Sequence, residues 1–185
     1  SEDDAWEVLA FGITPALDYE RPDFFEDVRV RQAIAHCVDR EGVAKDVLPG
    51  DGQVPHSYVP PGHPAYAAGA VTTWPHRPDA GQLLLAQVGW RDEDGDGVRE
   101  AHGIPGIQDG TAFRVTYKTT AGPSRSSTAA RVAADLRACG IDATVETMPA
   151  EELFAPGPDG ALFGRRFDLA QFAWPVRTVP LCDTF

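Results

Sequence analysis

The sequence predicts an α/β fold, a mixed sheet flanked by helices, and three patterns carry that reading. Phe113, Val115 and Tyr117 alternate with Arg114, Thr116 and Lys118, and Ile141, Ala143 and Val145 alternate with Asp142, Thr144 and Glu146. A period of two marks a strand buried on one face. Between these runs Ala129, Val132, Ala133 and Leu136 make a stripe at helical spacing. Together they form a β-α-β unit, and its strands are expected to be parallel with a right-handed crossover. A right-twisted strand feeding a right-handed helix packs back onto the sheet only in that sense.

The remaining elements follow in chain order. Ala5 to Ile13 mixes Trp, Val, Leu, Phe and Ile and reads as a strand entering the sheet. Over Val28 to Val38 the apolar residues Val30, Ala33, Ile34, Cys37 and Val38 recur at i, i+3, i+4, i+7 and i+8, one stripe of an amphipathic helix. Asp39 suits the cap of a second helix, Arg40 to Val47, because a short carboxylate there accepts backbone N–H groups that lack an intrahelical partner, and Gly50 supplies a stop. Residues 49–78 are too rich in Pro and Gly for regular structure, so a long surface excursion is expected, with Pro60-Pro61-Gly62 as a rigid turn. Pro78 or Asp79 opens a third helix to Val88, with Leu83, Leu84 and Leu85 as its core face and Gly89 as its exit. Ser126 or Ser127 is expected to cap the helix of the β-α-β unit, and Gly140 to end it. Glu151 to Phe154 reads as one helical turn, followed by a Gly/Pro-rich bend over Ala155 to Gly164. Phe167 to Trp174 is the last predicted strand, stopped by Pro175.

Composition narrows the classes of function. The chain is 43% hydrophobic and 24% charged, an ordinary globular balance, and 185 residues suffice for one sizeable core. A net charge of −12 argues against a nucleic-acid partner and against footing on anionic lipid, both of which call for a basic patch. No run approaches the ~18 apolar residues of a membrane span. Ser1-Glu2-Asp3-Asp4 lacks the basic and apolar parts of a signal peptide, so the chain is expected to be a mature or trimmed piece. The three cysteines, Cys37, Cys139 and Cys182, cannot all pair within one chain. Cys37 and Cys139 fall at helical positions where a small apolar residue would serve, and they read as core residues. An oxidising compartment would permit one bridge, and the sequence does not choose the pair.

Among chemistry-bearing patterns, Asp92, Asp94, Asp96 and Gly97 resemble the start of a calcium loop, in which alternate carboxylates converge on the ion. The twelfth position of such a loop, which wants Glu, is Gly103, with Glu100 at the ninth as a partial substitute. An acidic Asp-Gly turn accounts for the pattern without an ion. His36, His56, His63, His76 and His102 lack metal-ligand spacing, and no Cys-x-x-Cys supports zinc. No Gly-x-Ser-x-Gly elbow or phosphate loop is present, and the adjacent Glu151 and Glu152 point apart on a helix. Neither catalysis nor a cofactor is expected.

Five strings share one resemblance. They are the helix Asp27 to Arg40, the strand Trp6 to Phe11, the stretch Val59 to Tyr66, Leu84 to Trp90 with the Asp92 to Gly97 turn, and Phe167 to Trp174. Over nearly the whole chain, they resemble extracytoplasmic solute-binding proteins of family 5, the peptide- and nickel-type receptors of ABC importers. The resemblance implies that residues 1–185 are a single lobe, the carboxy-terminal half of a type II periplasmic-binding-protein fold, excised from a longer two-lobed protein. It implies capture of a small polar solute, a peptide or sugar among them, outside the cytoplasm, in the periplasm or at the cell surface, with the ABC permease subunits as partners. Nickel carriage occurs in such proteins, and no residue here argues for it. The segment after Phe167 is similar to the one that reaches the cleft between lobes, so Gln171, Trp174 and Arg177 are the expected ligand-binding residues. Peptide-binding members place an Asp three residues after the Trp to hold the ligand's α-ammonium. Here that position is Arg177, a departure that speaks against α-amine capture and leaves two readings, a hold on a carboxylate, phosphate or sugar hydroxyl, or a surface charge. The reading from another class is a calcium-dependent interaction or adhesion module built on Asp92, Asp94 and Asp96.

Overall fold

The alternating runs in the middle of the sequence form paired strands, and the sheet grows outward from them. A computed structural model describes residues 5–47, 53–59 and 61–175 of the chain. In chain order the elements are β1 (Ala5–Phe11), α1 (Val28–Cys37), α2 (Arg40–Val47), α3 (Pro78–Val88), β2 (Trp90–Arg91), β3 (Glu100–Ala101), β4 (Arg114–Thr120), α4 (Pro123–Ala138), β5 (Asp142–Met148), α5 (Ala150–Leu153) and β6 (Leu169–Pro175). A 3-10 turn at Ala68–Ala70 punctuates the Pro- and Gly-rich excursion. The main sheet runs β1-β6-β4-β5, with β4 parallel to both β5 and β6 and β1 antiparallel to β6. It is the mixed α/β architecture that the patterns predict. The two-residue strands β2 and β3 pair as a hairpin around the acidic turn, too short to leave a periodic signal.

Both faces of the sheet are covered. On one, Leu9, Phe11, Val115, Tyr117 and Leu169 pack with the buried stripes of α1 and α4 and with Leu85 of α3. An aromatic group closes this core, with the Trp90 and Phe113 rings 4.2 Å apart and Phe24 stacked on Phe113 at 5.2 Å. On the other face Val8, Ala10, Ala170, Phe172 and Trp174 meet Leu153 and Phe154 in a smaller cluster. Gly81 lets α3 approach α1 closely, since a Cβ there would stand 2.5 Å from Cys37 Sγ and 2.7 Å from the Ala33 carbonyl.

Helix ends follow local chemistry. Asp27 caps α1 by accepting the Arg29 N–H at 2.8 Å, and Asp39 accepts the Gly42 N–H at 3.0 Å at the head of α2. The start of α4 differs from the expected serine cap. The helix begins at Pro123, whose missing N–H falls among groups with no intrahelical partner anyway, and Gly122 at φ 153° takes the cap position. Ser126 already lies inside the helix, with its N–H donating to the Gly122 carbonyl at 2.8 Å. β6 begins at Leu169 rather than Phe167 and includes Pro175, which stands opposite Ala5 in register. Gly50 and Pro60 lie outside the described residues.

Cys37 and Cys139 are buried, as core residues are, but they are not free core thiols. They form a disulfide across 102 residues of sequence, because the end of α1 and the cap of α4 bring their Cα atoms to 6.2 Å. Cys182 lies outside the described residues.

One buried charge organises the start of β6. Asp168 is 5% exposed and pairs with Arg21 Nε at 2.7 Å. Its other carboxylate oxygen accepts the Thr116 N–H at 2.7 Å and the Thr116 hydroxyl at 3.0 Å, while its carbonyl accepts the Gly12 N–H at 2.7 Å. Arg21 also donates to the Gly12 and Pro22 carbonyls. Removing one member of such a pair leaves the other charged and buried, which costs about 3–5 kcal/mol. Asp168→Ala is therefore expected to lower the unfolding free energy by about that amount in urea titration. The double variant Cys37→Ala/Cys139→Ala is expected to lose about 2–5 kcal/mol in the same assay, since the bridge closes a long loop in the unfolded chain.

Candidate ligand site at the strand ends

Strand direction selects one edge of the sheet. β4 and β6 run in parallel and β1 runs against them, so the carboxyl ends of β4 and β6 and the amino end of β1 share that edge. The chain leaves β4 through α4, which packs on the main core, and returns from β5 to β6 through α5, which packs on the opposite face. The connections leaving β4 and β5 thus pass to opposite faces, and the carboxyl ends of such strands are where open α/β sheets bind ligands. That edge carries Trp6 and Glu7 of β1, Thr119 and Thr120 of β4, Gln171 and Trp174 of β6, and Arg125 from the first turns of α4, with Trp6 and Trp174 on the face of the smaller cluster and Glu7 and Gln171 on that of the main core.

Trp174 stands opposite Trp6 in register, is half-buried, and meets Phe172 edge-to-face with centroids 6.0 Å apart. The Trp6 ring in turn stacks on Tyr58, 6.5 Å away and inclined by 17°, so the excursion reaches back to this edge. Aromatic surface at such a rim suits contact with apolar or ring faces of a solute.

Gln171 sits at the same edge but is only 2% exposed, and both ends of its carboxamide are engaged. The Tyr117 hydroxyl donates to Gln171 Oε1 at 2.9 Å, and Gln171 Nε2 donates to Glu7 Oε1 at 2.9 Å. Glu7 Oε1 also lies 3.5 Å from Arg125 Nε, while Arg125 donates to the Thr120 hydroxyl at 2.6 Å. The chain of contacts therefore runs from the sealed Tyr117 outward to Glu7 and Arg125, whose side chains are 28% and 27% exposed. Burial, reinforced by the charge of Glu7, pushes the Tyr117 phenol well above its ordinary pKa. Glu7 and Arg125 are absent from the residues that sequence reasoning singles out. The pairing of β1 with β6, and of β6 with the β4 that leads into α4, brings them together, and no periodicity within any of these segments reports it. Arg177 lies outside the described residues.

The acidic turn stands at the opposite end of the sheet, where Arg114 at the head of β4 reaches Asp96 at 3.3 Å. Asp92, Asp94 and Glu100 offer carboxylate oxygens within 4.8 Å of one another, whereas Asp96 turns to Arg114. Asp92 accepts the N–H groups of Gly95 and Gly97 at 2.8 and 3.1 Å, and Asp94 accepts that of Asp96 at 3.0 Å. These are the bonds of an exposed acidic turn. A surface hollow of about 270 Å³ lies elsewhere, between the α1–α2 junction and the excursion, with Arg40, Trp74 and His76 in its wall. Arg40 there donates to the Trp74 carbonyl at 2.6 Å and neighbouring His36 contacts the Pro75 carbonyl at 2.9 Å, so these groups serve to hold the loop.

A mixed α/β sheet with aromatic and polar side chains at its strand ends is an architecture of the periplasmic-binding-protein kind. The chain belongs to the bacterial extracellular solute-binding proteins, family 5, whose middle-region model matches residues 4–181. It is 28% identical over 169 residues to the oligopeptide-binding protein AppA of Bacillus subtilis (strain 168), a match that covers 87% of this chain and 28% of AppA. The structure of AppA in complex with a nonapeptide superposes with a TM-score of 0.68 at 27% identity, over 96% of this chain and 34% of that one. The oligopeptide-binding protein of Thermus thermophilus complexed with a pentapeptide does so at 0.73 and 27% identity, over 92% and 28% of the two chains. The same fold recurs in NikA of Brucella suis, in complex with Fe(III)-EDTA, at a TM-score of 0.74 and 24% identity, over 95% of this chain and 32% of that one. This chain thus spans about a third or less of the relatives it matches. The comparisons lend no support to a calcium-dependent adhesion module.

The burial of Tyr117 has a titration signature. Its phenol is stabilised in the neutral form, so it contributes stability that is fully present below the unfolded pKa of about 10 and lost as pH rises through the raised folded value. Of the four tyrosines, Tyr117 is expected to resist ionisation when absorbance is followed upward in pH, until alkaline unfolding exposes it.

Proposed function

We propose that residues 1–185 are one lobe of a two-lobed receptor that captures a small polar solute outside the cytoplasm and delivers it to an ABC importer. The single observation that carries this reading is the set of side chains at the strand ends, Trp6 and Trp174 with Glu7, Gln171 and Arg125, in a chain that belongs to a solute-binding family. The two relatives with bound peptides supply the precedent for an oligopeptide-type solute. The ligand lies between this rim and a facing lobe. Contacts to both halves favour the closed arrangement, and the permease reads closure. Trp174 lends its ring to the ligand, and Gln171 acts at the rim through Glu7. Arg177, where peptide-binding members carry Asp, offers its donors to a polar group of the solute. The receptor binds its solute without transforming it, in keeping with relatives that are named as binding proteins. An extracytoplasmic location agrees with the family and with the Cys37–Cys139 bridge, which persists in oxidising surroundings.

Calorimetric titration tests the proposal. The full-length receptor is expected to bind a peptide or oligosaccharide solute, and Trp174→Ala to weaken that binding by about tenfold or more, the loss of one aromatic contact of about 1.4 kcal/mol. The isolated lobe is expected to fold but to bind the same solute far more weakly, since half of the cleft is missing. Sub-micromolar binding by the lobe alone would refute the two-lobed reading.

A further inference from the structure

The contacts at the strand ends are arranged by depth. Tyr117 is wholly buried and Gln171 nearly so, and each spends its polar atoms on the next member of the chain. Glu7 and Arg125 are the members that reach solvent. Glu7 uses Oε1 for Gln171 and Arg125; among the described residues, no hydrogen bond or ion pair engages Oε2. Arg125 uses Nε and one terminal nitrogen, and its other terminal nitrogen likewise has no described partner. An acceptor and a donor therefore stand side by side, held by a sealed anchor and partly open to solvent at the strand ends.

Their charges cancel. A ligand ammonium drawn to Glu7 would have to compete with Arg125, and a ligand carboxylate drawn to Arg125 would have to compete with Glu7. Breaking such a pair in a closed, desolvated cleft leaves one charge uncompensated, a cost of several kcal/mol. A neutral group that itself carries a donor beside an acceptor can join both without separating them. Amides and vicinal diols have that shape. We infer that the Glu7–Arg125 pair is a specificity-determining contact, reading a neutral amide or diol of the solute rather than a charged terminus. The inference rests on the solute-capture reading above.

The test uses the full-length receptor and three probe mixtures. These are di- to hexapeptides with free termini, the same peptides acetylated and amidated, and neutral di- to hexasaccharides. Wild-type receptor is expected to bind one of the neutral mixtures at least about tenfold more tightly than the free peptides, and which one identifies the group as amide or diol. Glu7→Gln leaves Arg125 uncompensated and is expected to shift preference toward solutes with a free carboxylate. Arg125→Gln is expected to shift it toward solutes with a free ammonium, while Arg125→Lys keeps the wild-type order. Near-UV circular dichroism and melting temperature establish that each variant is folded, and a purely structural role would weaken all mixtures alike. Tighter binding of the free peptides by the wild type, or variants that change affinity without changing the order, would overturn the inference. Failure of all three mixtures would overturn the solute-capture reading beneath it.

Discussion

The site depends on where Asp168 sits. A carboxylate taken out of water is costly unless its lone pairs are occupied, and here Arg21 and two groups of Thr116 occupy them. That satisfaction is possible in one alignment only, because Thr116 belongs to β4 and Gly12, which binds the Asp168 carbonyl, follows β1. One residue thus sets β6 against both neighbours at once. Tyr117 then pairs with Leu169 and Thr119 with Gln171, which brings the Gln171 carboxamide under the Tyr117 hydroxyl. A slip of one residue would turn Gln171 to the opposite face and send Ala170 or Phe172 toward Tyr117. The rim at the far end of the sheet would lose the anchor of Glu7.

β6 also explains why the sequence shows the last strand without showing its environment. Leu169 and Gln171 point into the main core, while Ala170, Phe172 and Trp174 point into the smaller one. A strand enclosed on both faces has no need of alternation, so its sequence reads as a strand and says nothing of which residues look outward. That is why Gln171, three residues before Trp174, reads as an open binding group while its side chain is sealed. β4 and β5 are more legible because their alternation survives in Arg114 to Tyr117 and Asp142 to Val145, and α1 because a single stripe faces the core.

What the sequence conceals are the contacts between distant segments. Glu7 and Gln171 are 164 residues apart, and Cys37 and Cys139 are separated by 102. Each cysteine satisfies the description of a small buried residue on a helix, and only the packing of α1 beside α4 makes them a pair. The start of α4 departs from the serine expectation for a different reason. Serine is a good cap in general, but Gly122-Pro123 supplies a turn and a first helical residue of fixed φ, with the cap four positions before Ser126. The geometry of proline overrides the preference of a hydroxyl.

The distribution of constraints bears on how a receptor of this kind would work. The disulfide joins α1 to α4, Gly81 allows α3 close against α1, and Arg131 of α4 pairs with Asp39 and Asp46 across to α2 at 3.1 and 2.9 Å. These ties lie on the helical layer that backs the main core, whereas the rim is held by the buried polar chain from Tyr117. Core packing and cross-links of this sort resist internal deformation. If the chain is one lobe of the proposed receptor, a lobe so braced moves as a unit, and free energy gained by a solute at the rim is then expressed in the arrangement of the lobes rather than dissipated within one of them. On the proposed function, the stiffness of this half is what allows occupancy of a few side chains to be read at a distance as closure.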